Sequence, residues 1–198
     1  MKNTEQCPES VHGQTTAPAY RTELKDGLER DSAELRWIVK VILGRAQHVE
    51  GCLLDTIRLA EQGGYVVPEW LEHWTQRAAA RIAVDKVRGE IQTIAENYTR
   101  RSDAATGVHA LGETERRVLR SIEAEKISRS CDALERATLI LHGYLGLSVQ
   151  DCALLLECHR SVIEPACARA LQKIIDKGLV TELAEHYVDG FGALEVPT

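Results

Sequence analysis

Six cysteines and seven histidines are the first places to look for chemistry in this chain of 198 residues. The cysteines are Cys7, Cys52, Cys131, Cys152, Cys158 and Cys167. No two form a Cys-x-x-Cys pair, and Cys152, Cys158-His159 and Cys167 fit no common zinc spacing. Four of the six fall where a helix would place apolar residues, and a free thiol packs as a small hydrophobe. The histidines (His12, His48, His73, His109, His142, His159 and His186) are scattered. There is no Gly-x-Ser-x-Gly, no His-Glu-x-x-His, no phosphate-cradling glycine loop and no calcium loop. Paired carboxylates discriminate nothing in a chain with 30 acidic residues. The expectation is a protein without a catalytic centre, a metal or a cofactor.

Two other stretches carry residue types with a physical use. From Trp70 to Arg101, six basic residues (Arg77, Arg81, Lys86, Arg88, Arg100 and Arg101) stand against four acidic ones (Glu72, Asp85, Glu90 and Glu96). Trp70 and Trp74 lie in the same stretch. Aromatic faces and cations together hold single-stranded nucleic acid by stacking and charge. Core packing is the competing reading for the tryptophans, and a solvated helix face for the arginines. In residues 134–175, two short helical patterns meet at a tight turn, the second beginning after small polar residues. A helix-turn-helix reads this way, its first helix holding the second so that N-terminal residues reach base edges. A plain helical bundle produces the same pattern.

The elements that must position these residues are helical. Leu35, Ile38, Val39, Ile42 and Leu43 recur at helical spacing after Asp31 or Ser32, either of which can cap. Val49, Cys52, Leu53, Ile57, Leu59 and Ala60 form a second stripe, stopped by Gly63-Gly64. Pro68 suits a new helix start, and the third stripe runs to about Tyr98. Further helices are expected from Glu113 to about Arg129, from Leu134 to Tyr144, from Ser148 to Leu156 with Ser148 as cap, and from Val162 to about Leu183. No stretch alternates with period two. The fold class is therefore all-α, as two small helical domains at 31–98 and 113–183. Residues 99–112, polar with two glycines, read as a linker. Residues 1–30 read as a flexible acidic tail, and residues 184–198 as a second tail.

Composition limits the function classes. With 44% hydrophobic and 27% charged residues, the chain reads as soluble and globular. No run approaches the ~20 apolar residues of a membrane span. Met1 to Tyr20 lacks an apolar core, so no secretory signal is expected, and free thiols in a reducing cytoplasm are the default. The net charge of −6 and pI near 5.7 exclude bulk polyanion binding, so nucleic-acid contacts must rest on local patches or a partner's charge.

The segment Leu134-Glu135-Arg136-Ala137-Thr138-Leu139-Ile140-Leu141, followed by Gly146-Leu147-Ser148-Val149-Gln150-Asp151-Cys152-Ala153-Leu154-Leu155-Leu156, resembles region 4 of bacterial extracytoplasmic-function (ECF) sigma factors. That pattern has an Arg in the first helix, a Gly-Leu-Ser turn, then Ser-x-x-Glu-Ile-Ala-x-x-Leu. Arg136, Gly146, Leu147, Ser148, Ala153 and Leu156 fall in place, with Asp151 for the Glu and Cys152 for the Ile. Arg169-Ala170 matches the end of the recognition helix. The first half is similar to region 2. His48-Val49-Glu50-Gly51-Cys52-Leu53-Leu54-Asp55 takes the place of Asp-Ala-Glu-Asp-Leu-x-Gln-Glu. Arg81, Asp85 and Arg88 are in register with Asn-x-x-x-Asp-x-x-Arg. The resemblance spans roughly residues 32–182.

The resemblance implies a transcription initiation factor that binds core RNA polymerase and directs it to promoter −10 and −35 elements, without catalysis of its own. By residue, it implies polymerase contacts at Glu50, Leu54 and Asp55, −10 DNA contacts at Trp74, Arg77, Arg81, Lys86 and Arg88, and −35 contacts at Arg160, Ser161 and Arg169. Promoter DNA and core polymerase are the implied partners, and an anti-sigma factor is a further partner it leaves open. The chain departs from the pattern at Gly51 and Leu54, and in the recognition helix at Ile163-Glu164-Pro165-Ala166. Across Cys158–Lys177 four basic residues stand against two acidic ones, a thin charge for phosphate. These departures favour an alternative, a degenerate sigma-like regulator that binds proteins without reading promoters. A stand-alone helical DNA-binding regulator, binding with steep salt dependence, is the other.

Overall fold

The computed structural model describes residues 31–62, 68–99 and 110–179, and all of its regular structure is helical. The expected tails at 1–30 and 184–198, and most of the expected linker, lie outside the described residues. Helix α1 is described over residues 31–43, with Asp31 and Ser32 already helical. Helices α2 (Val49–Gln62) and α3 (Pro68–Thr99) follow, with Pro68 at the expected start. After 110 come α4 (Glu113–Ser121), α5 (Ala124–Ser130) and α6 (Ala133–Thr138). A π-helical segment (Leu139–Tyr144), α7 (Val149–Leu156), a 3-10 turn (Arg160–Val162) and α8 (Ile163–Asp176) complete the order.

Helices before and after the 99–112 stretch contribute to one cluster of buried side chains. Ile38 and Ile42 of α1, Ile91 of α3, Leu134 of α6, Leu156 of α7 and Leu171 of α8 all belong to it. Helix α3 packs against α2 on one side and against α6, α7 and the 3-10 turn on another. The expected stripe of α2 is only partly buried: Val49, Cys52 and Ala60 are inside, but Leu59 is exposed.

The single helix expected from Glu113 to Arg129 is two. Ile122 adopts an extended conformation between α4 and α5. That break frees the Ile122 carbonyl, which accepts the indole N–H of the buried Trp37 at 2.9 Å. A buried indole needs such an acceptor, and this one ties α1 to the second half. The last helix is also shorter than expected. It ends at Gly178, whose φ is +60°, with Gly178 N–H on Ile175 O at 2.8 Å and Leu179 N–H on Ile174 O at 3.1 Å. Those two bonds are a Schellman motif, which stops the helix before the 180s.

Two adjacent residues of α6 bury their charges against different elements. The Arg136 guanidinium donates to Cys131 O at 2.8 Å and Ile42 O at 3.4 Å, so it sits on the C-terminal ends of α5 and α1. Carbonyls at helix ends lack intrahelical donors and favour a cation. Burial pushes Arg136 below its ordinary pKa, while Glu90, Asp132 and Glu135 act the other way. Glu135, 1% exposed, accepts from Lys173 Nζ at 2.6 and 2.7 Å and from Tyr98 Oη at 3.0 Å, joining α6 to α8 and α3. It also closes a capping box with Asp132.

Gly44 follows α1 with φ +69°, and a Cβ there would lie 2.5 Å from an Arg136 guanidinium nitrogen. Replacing Gly44 by Ala should therefore lower the unfolding free energy by about 2–3 kcal/mol, from the left-handed backbone and the displaced guanidinium. Gly89, inside α3 with nothing near a Cβ, gives the opposite sign: Gly89→Ala should gain about 0.5–1 kcal/mol. Urea denaturation of both variants measures this, and equal effects at the two sites would refute the account.

Candidate nucleic-acid interface

The residues that the resemblance assigned to polymerase contact lie together on α2. Leu54 is 54% exposed, Glu50 is exposed, and Asp55 is half-exposed. Glu50 pairs with Arg36 of α1, and Asp55 with Arg58 at 3.3 Å. Leu54 stands one turn after Glu50 on this exposed face.

The −10 set divides. At about 100° per residue, Trp74, Arg77, Arg81 and Arg88 fall on one stripe of α3, and Lys86 lies about 140° away from Arg81. Lys86 instead faces α2, where its charge is felt by the Cys52 thiol. The stripe faces the second half of the chain. Arg77 and Arg81 are exposed, and their guanidiniums make no hydrogen bond or ion pair among the described residues. Both line a shallow cleft of about 540 Å³ against Ser148, Asp151, Leu154 and Leu155. Trp74, half-buried, lines the adjoining cleft of about 500 Å³ with Leu59, Leu147 and Trp70. Arg88 is engaged. Its guanidinium donates to Leu155 O at 2.9 Å and to Glu157 Oε1 at 2.8 Å, and it pairs with Asp85. Gln92 adds a bond to Glu157 Oε2 at 2.9 Å. Glu157 has φ +52° and ends α7, so Arg88 sits at the C-terminal end of that helix.

Of the −35 set, Arg160 and Ser161 lie at the entry to α8. Ser148 caps α7, accepting from Asp151 N–H at 3.0 Å, as its type and place predict. The turn after α7 leads into the 3-10 segment, where Arg160 and Ser161 are exposed. Ser161 Oγ and His159 Nδ1 lie 2.7 Å apart. The Arg160 guanidinium makes no hydrogen bond or ion pair among the described residues. Glu164 and Pro165 are half-buried in the first turn of α8, where proline is tolerated. Arg169 does not join Arg160: its guanidinium lies 4.6 Å from the centre of the Tyr98 ring on α3. That is cation–π distance.

Sequence reasoning did not single out Arg116, Arg117 and Arg120 of α4. They line a cleft of about 990 Å³ with Trp70, His73 and Arg77. Their one- and four-residue spacing places them along one side of α4, a signal visible in the chain but not used. Glu34 was missed too. It is the only carboxylate among the described residues to accept from Tyr144 Oη, at 2.5 Å; Arg120 at 2.5 Å and Gln76 at 3.1 Å donate to it as well.

No group of three or more potential metal ligands occurs among the described residues. Among the described residues, Cys52, Cys131, Cys152 and Cys167 are buried and Cys158 is half-buried. Burial pushes Cys131, Cys152 and Cys167 up to about 12 and Cys158 to about 11. No described helix is long and apolar enough to cross a membrane. Comparison with protein-family models, with curated proteins and with solved structures gave no match.

The raised thiols set a pH dependence. Unfolded, each ionises near its ordinary value of 9.0; folded, it holds its proton to higher pH. Their contribution is complete below about pH 9 and is lost as pH rises toward the folded values, each thiol adding about 1.4 kcal/mol per pH unit. Burial raises Tyr98 and Tyr144 as well, with the same sign. The urea midpoint should be level from pH 7 to pH 8.5 and fall steadily above pH 9; a flat profile to pH 10.5 would contradict this.

Proposed function

We propose that this chain is a sigma-like transcription initiation factor that binds core RNA polymerase and directs it to promoter −10 and −35 elements. The observation that carries the reading is two sets of motif residues in order on an all-helical scaffold. The first places the exposed Leu54 beside Glu50 on α2. The second builds a capped helix, a tight turn and a longer helix, with Arg160 and Ser161 exposed at the entry to α8. Residues at that entry are the ones a helix-turn-helix brings to base edges and phosphates. The acidic chain relies on the polymerase for much of its attraction to DNA. In this reading Arg77 and Arg81 meet the opened −10 strand, and Arg88 does so after release from Glu157.

A second reading is favoured by one specific observation. Arg88 and Arg169, two of the assigned DNA contacts, are spent on Glu157 and Tyr98 across the two halves. A protein-binding regulator that occupies polymerase without reading promoters would keep those contacts. It predicts polymerase binding with no run-off product.

Arg160→Ala discriminates the two. It removes a cation that makes no internal bond among the described residues, so thermal stability should not change. For the initiation factor, affinity of the reconstituted holoenzyme for a promoter fragment should fall by about 1–2 kcal/mol, roughly 5- to 30-fold. Gel shift and run-off transcription read the effect. Unchanged binding by the variant would remove Arg160 from the interface, and absence of any run-off product from the wild type would leave the second reading.

A further inference from the structure

The cleft of about 990 Å³ between the N-terminal half of α3 and α4 lies outside the surfaces assigned to polymerase and −35 DNA, and it borders the −10 surface through Arg77. Its size is that of a small-molecule site. Four elements wall it: α1, α3, α4 and the π-helical segment. Its floor is fixed by Glu34, which holds Tyr144 Oη at 2.5 Å, Arg120 at 2.5 Å and Gln76 at 3.1 Å. These bonds neutralise Glu34 and Arg120 against each other. Arg116 donates Nε to Leu111 O at 2.9 Å, which aims its guanidinium without neutralising it. Arg77 has no internal partner among the described residues, and both arginines line the same cleft. Glu113 is opposite Arg117 at 3.8 Å, and Glu72 remains as the counterweight. The net result is a small positive excess, suited to one anionic group rather than to a polyanion.

At the lip stands Trp70, 72% exposed, the most open large hydrophobic side chain among the described residues. An indole left in water beside guanidiniums that Glu72 only partly compensates offers a flat stacking face next to an anion site. We infer that this cleft binds a nucleoside monophosphate or a close analogue, its ring on Trp70 and its phosphate between Arg77 and Arg116. The site is assembled from both halves of the chain, so it exists only while they are packed together. The inference does not depend on the sigma-like reading.

Isothermal titration of the full chain with AMP tests it, with inorganic phosphate and adenosine titrated separately. The expected result is one AMP per chain, bound more tightly than either fragment. Trp70→Ala should weaken AMP binding about tenfold by loss of stacking. Arg77→Gln should weaken it about tenfold by loss of a charged hydrogen bond. Both side chains are exposed and the fold does not depend on them. Arg129→Gln on α5, away from the cleft, should have no effect. No heat with AMP to about 1 mM, binding indifferent to both substitutions, or phosphate binding as tightly as AMP would each overturn the inference. AMP binding is read on the free chain and run-off transcription on the reconstituted holoenzyme, so the two proposals fail separately.

Discussion

Glu135 and Arg136 are neighbours on a six-residue helix, and both side chains are buried. Isolated charges in such surroundings cost several kcal/mol each unless every lone pair and proton is answered. Each is answered from both halves of the chain. Glu135 reaches Lys173 on α8 and Tyr98 on α3, and Arg136 reaches the carbonyl ends of α1 and α5. Because successive helical residues point about 100° apart, one short helix can hold both. Helix α6 is therefore the place where the two groups of helices are specified relative to one another. Trp37 on Ile122 O and Tyr144 on Glu34 add neutral and charged bonds across the same boundary.

That packing turns the stripe of α3 inward toward α7. Its consequences are uneven along the helix. Arg77 and Arg81 stay open to solvent, while Arg88 is held by Glu157 and the end of α7. A sigma-like factor of this build would meet DNA with part of its surface ready and part held internally. The held part rests on partly exposed ion pairs, which contribute little individually because water and salt screen them. The buried α6 charges are the costlier contacts to break.

Much of the helical framework is legible from residue types. Pro68 starts α3 and Ser148 caps α7, because each has a local physical role that does not depend on distant contacts. The break at Ile122 is not legible, since the partner that its carbonyl takes is Trp37, 85 residues earlier in the chain. The early end of α8 at Gly178 could have been read from the glycine itself. The π-helical segment could not, because Leu139–Tyr144 is wholly buried and its turn is set by what surrounds it. For the candidate site, period along α3 groups Trp74, Arg77, Arg81 and Arg88, and it would have set Lys86 apart. What sequence alone cannot give is occupancy: Arg88 and Arg169 look like free cations until Glu157 and Tyr98 are seen beside them. Arg136, one of the residues that carries the family resemblance, has a structural task here.

The central claim is that the exposed face of α2, with Glu50 and Leu54, meets core RNA polymerase. Gel filtration of the purified chain with bacterial core polymerase at about 10 µM tests it most directly. The account predicts co-elution with the polymerase peak, lost when Leu54 is changed to Glu, a substitution on an exposed side chain that leaves the fold intact. Separate elution of the wild-type chain and core polymerase, or co-elution unaffected by Leu54→Glu, would contradict it.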